Sequence, residues 1–283
     1  MACNTFCNYS GKDENVSAQK TEAMSGMADG GPRLITLEEL PGWIIEEDDD
    51  LLVVNKPGWV VCHPSKNGPF SSLVGALRKY TGLPVLHIVN RLDRETSGLV
   101  LIAKNEQSAR FWQMAVQDRR LKKQYLVILT GELGTALEVD QPLGRDTGSI
   151  VGVKQKVCLV GQEGAKAAQT RFEPLCYGGG FTLARACPLT GRLHQIRVHA
   201  QWAGYPVVGD KLYGPDETLY LEFAQKGWTA WHEKMLPLRR QALHAERMDL
   251  IGLKCGRSFF APFPPELLEF CQKNKILGAG ESF

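Results

Sequence analysis

The chain has no apolar run approaching the roughly 18 residues needed to cross a bilayer, and its opening stretch, MACNTFCNYSGKDENVSAQK, lacks the apolar block of a secretory signal. A membrane or exported protein is therefore not expected, and a cytoplasmic one is. Metal-binding patterns are missing as well: there is no H-E-x-x-H and no paired C-x-x-C, and His194 and His199, five apart, fall about 140° around a helix. The eight cysteines are mostly isolated and read as reduced thiols. Cys3 and Cys7 lie in a polar tail, and no metal site is expected. The glycine-rich stretches YGGGF (177–181) and LGAG (277–280) lack the spacing of a dinucleotide or phosphate loop, so no organic cofactor is indicated. Thr96-Ser97-Gly98 lacks the G-x-S-x-G frame of a serine nucleophile. Charge of one sign is scarce too: the net charge of +2 excludes a wholesale polyanion binder, and any nucleic-acid surface must be a local patch.

What is present is a chain of 283 residues, 43% hydrophobic, able to bury a substantial core. Residues 1–33 are polar and without apolar periodicity, and read as a disordered leader; residues 34–283 read as a single domain. Short β-type runs follow, WIIEE, LLVVNK and WVVCH, then a helix in SSLVGALRKYTG with a serine N-cap and a glycine stop. VLHIV and LVLIA read as strands flanking a short polar loop. NEQSARFWQMAVQDRRL has Phe111, Met114, Ala115 and Leu121 at helical spacing. Its basic tail, Arg119 to Lys123, leads into the strand KQYLVILTGEL, with further strands at AAQTRFEPL and FTLARACPL. LTGRLHQIRVHAQWAG reads as a helix with Thr190 as N-cap, an apolar face of Leu193, Ile196, Ala200 and Ala203, and Gly204 as stop. Its other face carries Arg192, His194, Gln195, Arg197 and His199, either as a solvated basic surface or as an anion site at the helix N-terminus. Residues 215–240 read as a helical insertion, and the closing segment as strands followed by a helix starting near Pro264 and Pro265. Short strands and helices without regular alternation predict an α+β fold, a mixed, largely antiparallel sheet with flanking helices.

The loop NRLDRETSG (90–98) places Asp93 between Arg91 and Arg94. Charge alone allows a solvated ion-pair cluster worth less than about 1 kcal/mol. The surrounding stretches change that reading. VVNKPGWVVCHP, NRLDRETSG, KKQYLVILTG and LTGRLHQIRVHAQWAGYPVVGDKLYG, in this order and at these separations, resemble the RluA family of pseudouridine synthases, from about Trp43 to Pro265. That family isomerises uridine in RNA to pseudouridine without metal or organic cofactor.

The resemblance implies that Asp93 is the catalytic carboxylate, acting either at the anomeric carbon or by removing a proton from the neighbouring carbon. Arg197 matches the arginine that pairs with it, Tyr125 the tyrosine that stacks on the flipped uracil, and Arg91 a residue that helps displace the base. Lys56 also matches, though a hairpin turn explains it equally well. Lys123, with the rest of the basic corner, and Arg192, His194 and Gln195 become candidate RNA-backbone contacts. Asn90 departs from the family's usual histidine. The expected partner is structured tRNA or rRNA bound by a monomer, with no cofactor. Two rivals remain: an RNA-binding or RNA-folding protein on the same scaffold with little catalysis, and a nucleoside or glycoside hydrolase, which would need a second placed carboxylate.

Overall fold

In the computed structural model the described residues are 33–63, 67–252 and 256–278. The expected leader, Cys3, Cys7 and Cys255 lie outside them, apart from residue 33. The remaining five cysteines are free thiols.

The strands are β1 (Ile44–Glu47), β2 (Leu51–Lys56), β3 (His87–Ile88), β4 (Ser97–Ala103), β5 (Leu121–Thr130), β6 (Leu137–Asp140), β7 (Leu143–Arg145), β8 (Gln155–Val157), β9 (Gln169–Gly178), β10 (Phe181–Pro188), β11 (Leu243–Leu250) and β12 (Arg257–Phe260). Ten of them form one sheet in the order β1-β2-β4-β11-β5-β10-β9-β6, with β3 on β4 and β12 on β11, while β7 and β8 form a separate hairpin. Every pairing is antiparallel except β4 with β11, where Ser97 and Gly98 face His244 and Ala245. The sheet is mixed and mostly antiparallel, as the sequence pattern predicts.

The central strand β5 is apolar at successive positions because both of its faces are covered. Tyr125, Val127 and Leu129 enter one core. Leu126 and Ile128 enter the other, under Phe263, Leu267 and Phe270 of the C-terminal segment.

The helices are α1 (Leu73–Thr81), α2 (Glu106–Gln117), α3 (Gln195–Trp202), α4 (Thr218–Lys226), α5 (Ala230–Met235) and α6 (Pro265–Lys273). The expected Ser72 cap on α1 accepts from the Gly75 amide at 3.2 Å, and Gly82 closes the helix at φ 72°. The helical segment expected over 215–240 holds α4 and α5. No helix among the described residues is long and apolar enough to cross a membrane.

Three local expectations are corrected. WVVCH is not a strand: after Lys56 the chain turns at Pro57 and Gly58, and Val60 and Cys62 are buried from a loop. On α2 the buried face is Ser108, Ala109, Trp112 and Ala115, while Phe111 and Met114 are exposed; the largest ring sets the face, and one short polar residue joins it. The third concerns α3. It starts at Gln195, with His194 as N-cap in the left-handed region, and Thr190 lies outside it. Gln195 to Ala200 are all buried, so its polar residues are interior rather than a solvated face, and Leu193 is exposed.

Candidate active site

The loop joining β3 to β4 is fastened from several directions, almost entirely by side chains. Asn90 donates to Leu99 O at 3.1 Å and accepts from the Leu101 amide at 2.9 Å, completing the ladder where β3 ends. The departure at this position therefore has a structural role. The buried Cys62 thiol accepts from the Leu92 amide at 3.4 Å and donates to Leu92 O at 3.5 Å.

Lys56 is fully buried at the end of β2 and donates to Pro57 O at 2.9 Å and Arg94 O at 3.3 Å. Burial pulls its ammonium down to about 8. It is neither a turn residue nor exposed to an RNA backbone; it holds the loop from beneath. Arg240 donates to Glu95 O at 3.1 Å and to Ser97 Oγ at 3.2 Å. Ser97 in turn donates to His244 Nδ1 at 2.9 Å, because Nε2 of that ring faces the Ala261 carbonyl and must carry the hydrogen. Both partners are buried, which makes Ser97 a brace rather than a nucleophile.

Glu95 receives Lys211 Nζ at 3.0 and 2.9 Å. That ammonium sits among three rings, 4.8 Å from Trp59, 4.7 Å from Phe223 and 5.5 Å from Trp228. The 215–240 helices thus reach the loop through Lys211. Arg94 lies over Trp59, with its guanidinium carbon 5.8 Å from the ring centroid. Gly98 supplies the sharp entry to β4: its φ is 109°, and a Cβ there would lie 2.2 Å from Ala245 O.

So held, Asp93 presents a side chain that is 25% exposed. Its Oδ2 accepts from Arg197 Nη1 at 2.8 Å and from Gln241 Nε2 at 3.4 Å, and His194 Nε2 stands 3.9 Å away. All three nitrogens converge on Oδ2, which leaves Oδ1 as the oxygen with lone pairs to offer. Burial works against ionisation, but the charge of Arg197 and the hydrogen bonds from Arg197 and Gln241 outweigh it and hold the carboxyl below its ordinary range.

Arg197 is itself clamped by a second carboxylate. Its Nε and Nη2 donate to Asp210 Oδ2 and Oδ1 at 2.6 and 2.8 Å, and its guanidinium lies 4.8 Å from the Tyr213 ring centroid. Asp210 is fully buried and also accepts the Leu212 and Tyr213 amides at 2.9 and 3.0 Å. This is an Asp-Arg-Asp array in which one guanidinium spends a planar fork on the buried acid and a single N–H on the exposed one.

Tyr125 is buried on β5, and burial, helped by the negative field of Asp93, pushes its phenol up well beyond the ordinary range. The hydroxyl keeps its proton at neutral pH.

The remaining expected residues divide. Arg91 is exposed at the loop. Arg192 is exposed, with Nε donating to Ala167 O at 3.0 Å. Lys123 is half-buried, and a Cβ added to Gly191 would lie 3.5 Å from its Nζ, so it faces the loop that carries Arg192. Gln195 does not face outward: its amide donates to Gln169 O and Thr170 Oγ1, both at 2.9 Å, and its oxygen accepts from the Arg192 amide at 3.0 Å. His194 belongs to the Asp93 cluster instead of a phosphate surface.

Asp210, Gln241 and Tyr213 join the site without having been expected there. Asp210 and Tyr213 lie in the stretch GDKLYG that carries the resemblance, so the sequence holds a signal for an acid near Arg197. Gln241 has no local signal, because only the path of β11 brings it to Asp93. Among the described residues no group of His, Cys, Asp and Glu could hold a metal ion.

Comparison with known proteins finds relatives of this chain among RNA pseudouridine synthases. The family model described as "RNA pseudouridylate synthase" matches residues 50–202. An "Uncharacterized RNA pseudouridine synthase" of Chloroflexus aurantiacus is 34% identical over 221 residues, covering 75% of this chain and 63% of the relative. "Ribosomal large subunit pseudouridine synthase C" of Escherichia coli is 34% identical, covering 71% and 60%. The "tRNA pseudouridine(32) synthase, mitochondrial" of Saccharomyces cerevisiae is 35% identical, covering 62% and 37%. The matched region thus spans less than two thirds of each of these relatives. The solved structure "Human RNA Pseudouridylate Synthase Domain Containing 1" superposes with a TM-score of 0.63 at 27% identity, covering 82% of this chain and 87% of that one. With its family match extending over more than half of its length and through both Asp93 and Arg197, the chain belongs to the RluA family of pseudouridine synthases.

Proposed function

We propose that this protein isomerises uridine to pseudouridine in structured tRNA or rRNA, acting as a cytoplasmic monomer with Asp93 as the catalytic group. The observation that carries the reading is the Asp93 carboxylate. It is kept ionised by Arg197, and the donors that reach it are gathered on Oδ2, so that Oδ1 keeps its lone pairs for a substrate. Relatives named for tRNA and for large-subunit rRNA support the substrate class.

The reaction is a rearrangement that exchanges one bond for another. The bond from C1′ to N1 breaks, the uracil turns, and a bond from C1′ to C5 forms; the C5 proton is lost and N1 gains one from solvent. As the first bond breaks, the sugar gains oxocarbenium character, which a fixed carboxylate beside it stabilises. The target must first leave its stack, at a cost of about a few kcal/mol. Arg91, exposed at the mouth, supplies a cation for the displaced strand or the vacated space. Tyr125 supplies a ring for the uracil to stack on, and its protonated hydroxyl serves as a relay rather than a standing base. Lys123 on β5 and Arg192 on the loop it faces serve as phosphate contacts that give affinity without sequence information.

Hydrolysis is disfavoured, because the nearby second acid, Asp210, is fully buried and engaged by Arg197. The binding-protein reading loses its one hint, since Asn90 is accounted for by the strand ladder.

A pseudouridine map of RNA from the source cell, by carbodiimide-dependent primer stops with and without the gene, tests the function. One or a few sites should vanish and return with wild type but not with Asp93→Asn. An unchanged map would refute the isomerase.

A further inference from the structure

His194 is placed on the Asp93 cluster by an unusual backbone. It adopts φ 55° and ψ 17° at the start of α3, a left-handed conformation that histidine enters more readily than bulkier residues but that is still uncommon outside glycine. Its side chain is 11% exposed.

The ring is fixed at both ends. Nδ1 lies 2.8 Å from the Tyr213 hydroxyl, and that hydroxyl accepts the Gln155 amide at 2.8 Å. Among the described residues Nδ1 is the one acceptor placed for the hydroxyl's own hydrogen, so the geometry favours the hydroxyl donating to Nδ1. Nδ1 is then the bare nitrogen and Nε2 carries the ring hydrogen. Nε2 is the atom that looks at Asp93 Oδ2, from 3.9 Å.

We propose that His194 is a positioning residue for the Asp93 carboxylate, its Nε2–H aimed at Oδ2 by the Tyr213 hydroxyl, which the Gln155 amide of the β7–β8 hairpin holds in turn. This rests on Asp93 being the catalytic group. At 3.9 Å the contact is electrostatic, and it shortens to a hydrogen bond as substrate fills the site.

The arrangement makes chemical sense because the ring is uncharged. Burial, and the adjacent positive charge of Arg197 with a smaller effect of Arg91, outweigh the attraction of Asp93 and Asp210 and bring His194 down to about 4. A second full cation beside Asp93 would weaken the carboxylate as a base or nucleophile. A neutral N–H orients it at far smaller cost.

Three measurements test this. In the intact 15N-labelled protein at pH 7, long-range proton-nitrogen spectra should show His194 as the Nε2–H tautomer, and Tyr213→Phe should release it to a mixture. An Nδ1–H tautomer in the wild type would overturn the proposal. At pH 7, where the ring is neutral and the carboxyl ionised, the 13C shift of the Asp93 carboxyl should differ between wild type and His194→Ala and return toward the wild-type position in His194→Gln; no movement overturns it.

The kinetic probe is total RNA from gene-deleted cells fed [5-3H]uridine, with tritium release as the readout. His194→Ala should lower kcat on the order of tenfold with KM within about twofold, and His194→Gln, which keeps an N–H at that reach, should recover most of the loss. A raised KM at unchanged kcat would make His194 an RNA contact. Equal loss in Ala and Gln would reduce it to a packing role. If the wild type itself releases no tritium, the isomerase reading fails, and the two spectroscopic results still decide whether His194 positions the carboxylate.

Discussion

Replacing Asp210 by asparagine isolates what the buried acid does for the site. The carboxylate accepts four hydrogen bonds: two from Arg197, at 2.6 and 2.8 Å, and two from the Leu212 and Tyr213 amides, at 2.9 and 3.0 Å. An asparagine oxygen in the Oδ1 position keeps the two amides and one arginine N–H. Its NH2 group then meets Arg197 Nε donor to donor, and the buried guanidinium loses its bidentate counter-charge. Breaking a buried pair in this way costs about 3–5 kcal/mol, a large part of the roughly 5–15 kcal/mol that holds a domain together.

The pH dependence follows with a definite sign. Burial opposes the ionised form of Asp210, but Arg197 and the amides hold its carboxyl below the ordinary range. A carboxyl depressed in the folded state contributes stability that is fully present above its unfolded value of about 4 and is lost as pH falls through the folded value. Urea unfolding followed by circular dichroism from pH 7 to pH 3 should therefore show two things. The variant should be less stable at pH 7, and its acid limb should be shallower by up to roughly 1.4 kcal/mol per pH unit. A loss under about 1 kcal/mol at pH 7, or an acid limb of unchanged slope, would show that Asp210 does not hold Arg197 as an ionised buried partner.

Asp93→Asn should remove tritium release while changing unfolding stability by less than about 1 kcal/mol, because Arg197 keeps its fork on Asp210. Since Lys56 is brought from 10.5 down to about 8 by burial, its contribution to stability should grow as pH rises from about 8 to 10.5, where the unfolded chain binds the extra proton; in denaturant titrations the difference between wild type and Lys56→Met should shift in favour of the wild type across that window. Gly98→Ala should fail to give soluble folded protein, since its Cβ would meet Ala245 O at 2.2 Å with φ at 109°; a normal melting temperature would contradict the close approach. Asn90→Ala should lose about 1–3 kcal/mol by thermal unfolding, with kcat retained at permissive temperature.

Much of the fold was legible in the chain. The strands around the loop, the capped helix at Ser72 and the helices of 215–240 follow from periodicity and end signals acting over a few residues. Asp93 stood out through its loop and flanking arginines, and Arg197 and Tyr125 were reached through resemblance. The errors share a cause. On α3, composition says polar and solvated, but Gln195, Arg197 and His199 are buried because each finds a partner on an element distant in sequence. On α2, Trp112 rather than Phe111 takes the core, a choice made by the space beneath the helix.

The chain's own spacing marks the local elements, the composition that leaves metals and cofactors without a signature, and the polar loop that carries Asp93 between two arginines. Those depend on neighbours in the chain, whose spacing can be read directly. It took the folded chain to divide Arg197 between two acids, to bring His194 within 3.9 Å of Asp93, and to set Lys56 beneath the loop. These roles are set by burial and by partners brought from β11, α3 and the Asp210 turn, and the charge a buried group carries depends on what surrounds it, which no local pattern encodes.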